Sequence, residues 1–317
     1  MVLSSQQIEA FERTGYLVVE DVFDAAVIEG VKREYAELLD QLYADWYNKG
    51  LVQPSPDGLD FDGKLLASYR AGCDWFQPFD ISLPGDTIHV DTPFHFGPAV
   101  FDFVTHGRLL DLAEDLIGPE ITANPIQHIR IKPPVGDLQD DEVRAHITKT
   151  DWHQDRAVAL AEADNTNMIT VWCAITDATV ENGCLQVLPL DRDQEMLPHC
   201  PKTQTAIADG FVDAAKAVPL PVRSGGVVIF HPLTPHSSLV NMSDRFRWSF
   251  DLRFNVTGEP TGRAHFPEFV VRSKADPSQE LTDHEIWRRG WEEARALLAV
   301  SPHIDIHRWS GDAPVCA

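Results

Sequence analysis

His153-Gln154-Asp155 sets an imidazole and a carboxylate two residues apart, and a second histidine, His236, follows far downstream. In an extended segment residues i and i+2 project to the same side, so both side chains of the triplet can reach one ion. Two histidines and one carboxylate on one face of an octahedral metal leave three positions open, the facial triad of non-haem iron(II) oxygenases. A chelating 2-oxo acid would take two of them and dioxygen the third. His-x-Asp alone is a weak signal, and the chain carries a second copy, His89-Val90-Asp91. That copy runs into Pro93, Gly97 and Pro98 and reads as a loop, whereas strand-like segments follow the first and lead to His236. His231 competes with His236 as the distal ligand, although it directly follows a buried strand and could be a wall residue. Arg247 and Ser249 share a strand face shortly after His236. A planar guanidinium suits a carboxylate held through two hydrogen bonds, and the hydroxyl can add a third. A plain Arg–Asp pair between Arg247 and Asp251 is the competing explanation for that arginine.

Strands must carry these residues, and period-two alternation marks them. Over 245–254, Phe246, Trp248, Phe250, Leu252 and Phe254 alternate with Arg245, Arg247, Ser249, Asp251 and Arg253. Gln127, Ile129 and Ile131 alternate with His128, Arg130 and Lys132, and Ile169, Val171 and Cys173 with Thr170 and Trp172. Val227–Phe230 reads as a buried strand after a glycine turn. Upstream, Ile28, Val31, Tyr35, Leu38, Leu39, Leu42 and Trp46 fall at helical spacing, and residues 107–117 and 283–298 read as further helices. Residues 49–100 are rich in Gly, Pro and Asp, with weak periodicity, and read as largely irregular chain. These elements predict a mainly β protein with flanking helices: a jelly-roll, cupin-like double sheet. The expected layout is a single domain over 1–317, with a helical N-terminal region over 1–120, a β core over about 121–256 and a helical extension over 257–317.

Bulk composition narrows the partners. A formal charge of −23 over 317 residues argues against nucleic acid, which needs a basic surface. No apolar run approaches the roughly 20 residues of a membrane helix, and the opening residues show no signal-peptide pattern. The five cysteines, at 73, 173, 184, 200 and 316, form no CxxC pair, and their odd number and scatter fit a reducing cytosol better than a disulfide framework. A cytoplasmic enzyme acting on a small molecule is the expectation.

Four blocks then resemble the phytanoyl-CoA dioxygenase (PhyH) family of iron(II)/2-oxoglutarate oxygenases: TDWHQD at 150–155, VWCAITDATVENGCLQVLP at 171–189, GGVVIFHPLTPHS at 225–237 and RFRWS at 245–249. The FERTGYLVV stretch at 11–19 is similar to the family's opening. The resemblance implies a double-stranded β-helix, iron(II) held by His153, Asp155 and His236, and 2-oxoglutarate held by Arg247 and Ser249 with Trp172 beside it. It also implies consumption of dioxygen and release of succinate and carbon dioxide. Because Asp155 occupies the position that related halogenases leave to a small residue, oxidation and not halogenation is expected. Where the family usually has Pro-Gly-Ser-His, this chain has Pro189-Leu190-Asp191-Arg192, so the family's substrate is not carried over. A polyanionic CoA ester would need a basic patch. Arg130, Lys132, Arg144 and Lys149 could supply one, but the acidic run Asp137–Glu142 lies among them. Arg130, Lys132 and Gln154 stand as substrate-pocket candidates. A zinc hydrolase or isomerase on the same barrel would not need the carboxylate clamp, and a non-catalytic binding module would not need an intact triad.

Overall fold

The computed structural model describes residues 2–134, 136, 149–190, 194–202 and 204–316. The acidic run, Arg144, Asp191 and Arg192 lie outside the described residues. Helices α1 (Ser5–Thr14), α2 (Ala25–Asn48), α3 (Phe61–Arg70), α4 (Phe76–Phe79), α5 (Pro98–Val104) and α6 (Gly107–Ile117) precede most of the strands, and α7 (His284–Leu298) follows them. The strands are β1 (Tyr16–Val19), β2 (Glu120–Lys132), β3 (Met168–Ala174), β4 (Leu185–Val187), β5 (His199–Pro201) and β6 (Thr205–Ile207). After them come β7 (Val218–Leu220), β8 (Val227–Phe230), β9 (His236–Ser238), β10 (Arg247–Val256) and β11 (Phe269–Ser273). Among the described residues no helix is long and apolar enough to cross a membrane.

An antiparallel sheet in the order β1-β8-β3-β10-β2-β11 faces a smaller sheet, β7-β4-β9, and β5 pairs with β6. This is the expected jelly-roll architecture, with its sheets not closed into a barrel. The large sheet reaches beyond 121–256 on both sides, through β1 at one edge and β11 at the other. The alternation read in β10 decides which face goes where. Trp248, Phe250, Leu252 and Phe254 join Ile129, Ile131, Val171 and Cys173 in a core packed under α2, α5 and α6, with Tyr35, Phe79, Phe103 and Leu109. Trp172, Val228 and Phe230 instead meet Leu185, Val187 and Leu220 of the smaller sheet. The polar residues of β10, β2 and β3 therefore line the space between the sheets.

One expectation is refined and one corrected. Residues 49–100 are largely irregular, as expected, but α3 forms there, capped by the Asp60 side chain on the Gly63 N–H and anchored by buried Leu65 and Tyr69. Only one short face of it is apolar, so its periodicity is faint in the sequence. The cysteines are not all reduced. Cys200 and Cys316 form a disulfide, with Cα atoms 5.6 Å apart across 116 residues of chain, while Cys73, Cys173 and Cys184 are free and buried. A pairing made by tertiary folding leaves no local spacing pattern. The cytosolic reading loses its cysteine argument accordingly.

Candidate metal centre

The backbone brings His153 to His236. The two residues exchange N–H···O bonds of 3.0 Å each in an isolated antiparallel bridge. A hydrogen-bonded antiparallel pair points both side chains to one side, and the two imidazole centroids lie 4.1 Å apart. Gln154 is extended, so Asp155 returns to the side of His153 before the chain tightens into a 3₁₀ turn, Asp155–Ala157. One ligand atom from each of His153, Asp155 and His236 lies within 4.8 Å of the others, and all three residues are buried.

Hydrogen bonds fix what each group offers. His153 Nδ1 faces the Asp151 carbonyl at 2.8 Å and His236 Nδ1 faces the Thr234 carbonyl at 3.0 Å. A carbonyl only accepts, so each Nδ1 carries its proton and each Nε2 presents a lone pair to the site. Burial, then the neighbouring His236, lowers the His153 pKa to about 3, which keeps that ring neutral at physiological pH. Asp155 receives Arg253 Nη2 on Oδ1 and the Thr170 hydroxyl on Oδ2 at 2.6 Å. Burial pushes this carboxyl up, but Arg253, both imidazoles and Thr170 together hold it below the usual carboxylate range. A charged carboxylate beside two imidazoles whose Nδ1 atoms are held by carbonyls is the donor set a divalent ion needs. Gly15 supports this arrangement from a distance. It closes α1 with φ +74°, its carbonyl accepts from the Thr234 hydroxyl at 2.7 Å and the His231 N–H at 2.8 Å, and a Cβ there would collide with Leu190 and Thr234.

A small cavity between the sheets is lined by the three residues together with Arg130, Trp172, Ser238 and Arg247. Arg247 is 1% exposed, its Nη1 donates to Ser249 Oγ at 2.7 Å, and its carbon Cζ lies 5.1 Å from the Trp172 ring centroid. Its Nε is buried without a partner. The competing Arg247–Asp251 ion pair does not form; Asp251 Oδ2 instead accepts from Arg130 Nε at 2.7 Å, and its Oδ1 has no partner. Burial lowers the Arg247 pKa to about 10, so the group stays cationic at neutral pH. An unpaired buried guanidinium costs free energy unless an anion joins it. A carboxylate would meet that demand.

The remaining candidates scatter. Arg130 lines the cavity. Lys132 lies behind it, its buried ammonium on Ser238 Oγ and the Leu239 carbonyl, and its pKa is well lowered by burial and then Arg247. Gln154 points away: its amide reaches the carbonyls of Glu195 and Leu233 and the Leu197 N–H, so it braces the turn and does not face a pocket. His231 accepts the Leu233 N–H on Nδ1 and stays outside the triad. His89-Val90-Asp91 is an exposed turn. Sequence reasoning missed Arg253 and Thr170. Arg253 shares the Arg247 face of β10 and Thr170 the Trp172 face of β3, so the alternation pattern held the signal.

A model of the phytanoyl-CoA dioxygenase (PhyH) family matches residues 11–249. Phytanoyl-CoA dioxygenase domain-containing protein 1 of Danio rerio is 26% identical over 276 residues, spanning 78% of this chain and 88% of the relative. The apo structure of the non-haem monooxygenase ThoJ superposes with a TM-score of 0.56 at 18% identity, covering 93% of this chain and 98% of that one. EvdO2 from Micromonospora carbonacea var. aurantiaca, complexed with 2-oxoglutarate, gives 0.51 at 20% identity over 82% and 94%. These two likenesses carry the fold, and the family match spans most of the chain. With the fold, the triad and the family match in agreement, the chain belongs to the phytanoyl-CoA dioxygenase (PhyH) family of iron(II)- and 2-oxoglutarate-dependent oxygenases.

Proposed function

We propose that this protein is a dioxygenase that hydroxylates or otherwise oxidises a small organic molecule, with His153, Asp155 and His236 as the iron ligands. The observation that carries the reading is Arg247, a buried cation with an unpartnered Nε, lining the same cavity as the three ligand atoms. When bound, iron(II) with 2-oxoglutarate and dioxygen supplies the oxidising chemistry and yields succinate and carbon dioxide. The chain's own residues have narrower tasks. Arg247 and Ser249 hold the far carboxylate of 2-oxoglutarate, and Trp172 backs the guanidinium and excludes water. Arg253 and Thr170 fix the rotamer of Asp155, while the Asp151 and Thr234 carbonyls fix both imidazoles. We read residues 1–317 as one domain, since segments from the β core and from both flanking regions line the site and its entrance.

Incubation with iron(II), ascorbate and labelled 2-oxoglutarate tests the reading. Succinate formation that needs iron and is stimulated by a small-molecule substrate is the expected result. Turnover with zinc alone, or hydrolysis without 2-oxoglutarate, would replace it with a hydrolase.

A further inference from the structure

Beside the triad lies a second, wider cavity of about 280 Å³, and Arg130, His153 and Arg253 line both chambers. Its apolar wall includes Leu83, Ile126, Val158, Phe266 and Ile306. Its charged groups are mostly paired in place, Arg130 with Asp251 and Arg253 with Asp155, and the His128 ring hydrogen-bonds to Asp80. Arg263 differs. It is 4% exposed, and Nη1 and Nη2 donate to the carbonyls of Gly262 at 2.9 Å and Val158 at 2.8 Å. Among the described residues no carboxylate forms an ion pair or hydrogen bond with it, exposed Glu162 acting only as a more distant charge, and its remaining N–H groups are open to a ligand. Among those residues the only acid in the cavity lining is Asp86, which is exposed. Burial and then Arg253 lower the Arg263 pKa to about 10, so the charge persists at neutral pH. In a chain of net charge −23, a buried guanidinium without an ion-pair partner at the edge of an apolar chamber needs explaining.

We propose that the outer cavity binds a small organic anion as the oxidised substrate, its carboxylate or similar oxyanion on Arg263 and its apolar carbon skeleton against Ile126, Val158, Phe266 and Ile306. The proposal rests on the function proposed above and adds the substrate class. Anchoring the anionic end at Arg263 turns the skeleton toward His153, so oxidation falls on a carbon away from the charged group. Small size follows as well, because the chamber is at the lower end of ligand-site volumes and could not enclose a CoA ester.

Binding separates this from a purely structural role, in which Arg263 only ties two loops together. The probes are octanoate, 1-octanol and octylammonium, titrated calorimetrically into the anaerobic enzyme holding iron(II) and saturating 2-oxoglutarate. Saturation keeps octanoate off Arg247. Octanoate should bind at least ~10-fold more tightly than 1-octanol, the scale of a charge-assisted hydrogen bond. Arg263→Gln should erase that preference and leave 2-oxoglutarate affinity within ~2-fold, as expected for a separate site. Arg263→Lys should keep some of it. If Arg263→Gln does not fold, Ile306→Glu supplies the second test: a carboxylate in that wall should weaken octanoate by about tenfold through like-charge repulsion. Equal affinity for octanoate and 1-octanol, tightest binding of octylammonium, or an anion preference that survives in Arg263→Gln would each overturn the assignment. Failure of the wild type to bind 2-oxoglutarate would remove the proposed function and this inference with it, whereas normal 2-oxoglutarate binding without anion preference removes the inference alone.

Discussion

The inner chamber and the outer cavity share three residues yet are built by different means. Strands wall the inner chamber. Arg247, Ser249, Asp251 and Arg253 alternate along β10, Thr170 and Trp172 along β3, and hydrogen-bonded register holds each beside its neighbour: Arg253 opposite Thr170, Asp251 opposite Trp172. The outer cavity takes Ile126, His128, Arg130 and Arg253 from β2 and β10, but the rest of its wall comes mostly from loops and the segment after α7, through residues 82–86, 263–266 and 306–307. A ligand set tolerates little displacement, and strands supply that rigidity. A substrate pocket must differ from one relative to the next, and loops change without cost to the sheets.

The contrast can be broken at several points. The largest effect is expected at the triad: His236→Ala abolishes iron binding and succinate formation, while His231→Ala retains both, as measured by metal titration and labelled 2-oxoglutarate turnover. The opposite result would move the distal ligand to His231. Arg253→Met should weaken iron binding by about 10–100-fold, the usual cost of losing a partner that orients a metal ligand. An unchanged metal isotherm in a folded variant would reduce the Arg253–Asp155 pair to a packing feature. Arg247→Ala should raise the apparent KM for 2-oxoglutarate by at least ~10-fold, the loss of one charge-assisted contact, without altering octanoate affinity. If both ligands weaken, the two chambers are not separable. The smallest effect on 2-oxoglutarate is expected for Cys316→Ser, whose KM should stay within ~2-fold of wild type because neither Cys200 nor Cys316 lines the chamber that holds Arg247. Its octanoate affinity should fall, sharpening the division.

The same contrast explains what could be read in advance. Alternation is a local property, so the inward residues of β10, β2 and β3 and the outward aromatics were legible from period two alone. The convergence of His153 and Asp155 was legible because one extended residue, Gln154, separates them. The side chain of Gln154 itself was not, since its direction depends on Glu195, Leu197 and Leu233, distant in sequence. Asp251 could have paired with Arg247 or Arg130 on one face, and only the neighbouring strand decides for Arg130. Helix α3, the Cys200–Cys316 bond and the convergence of Arg263, Phe266 and Ile306 on one cavity all depend on long-range folding, for which no spacing rule exists.

The segment running from α7 to Cys316 has a practical consequence. Ile306 and His307 line the outer cavity, Arg308 pairs with Asp164 at 2.6 Å, the Trp309 indole N–H donates to the Ala157 carbonyl at 2.8 Å, and the disulfide fastens the end beside β5. Residues 200–316 thus form a covalent ring that carries His236, Arg247, Arg253 and Arg263. A thiol reductant in a purification buffer would act on this segment and so on the wall of the outer cavity. Two preparations of the same polypeptide could consume 2-oxoglutarate equally and still rank substrates differently, so the oxidation state of Cys316 should be verified by mass spectrometry before any substrate screen is interpreted.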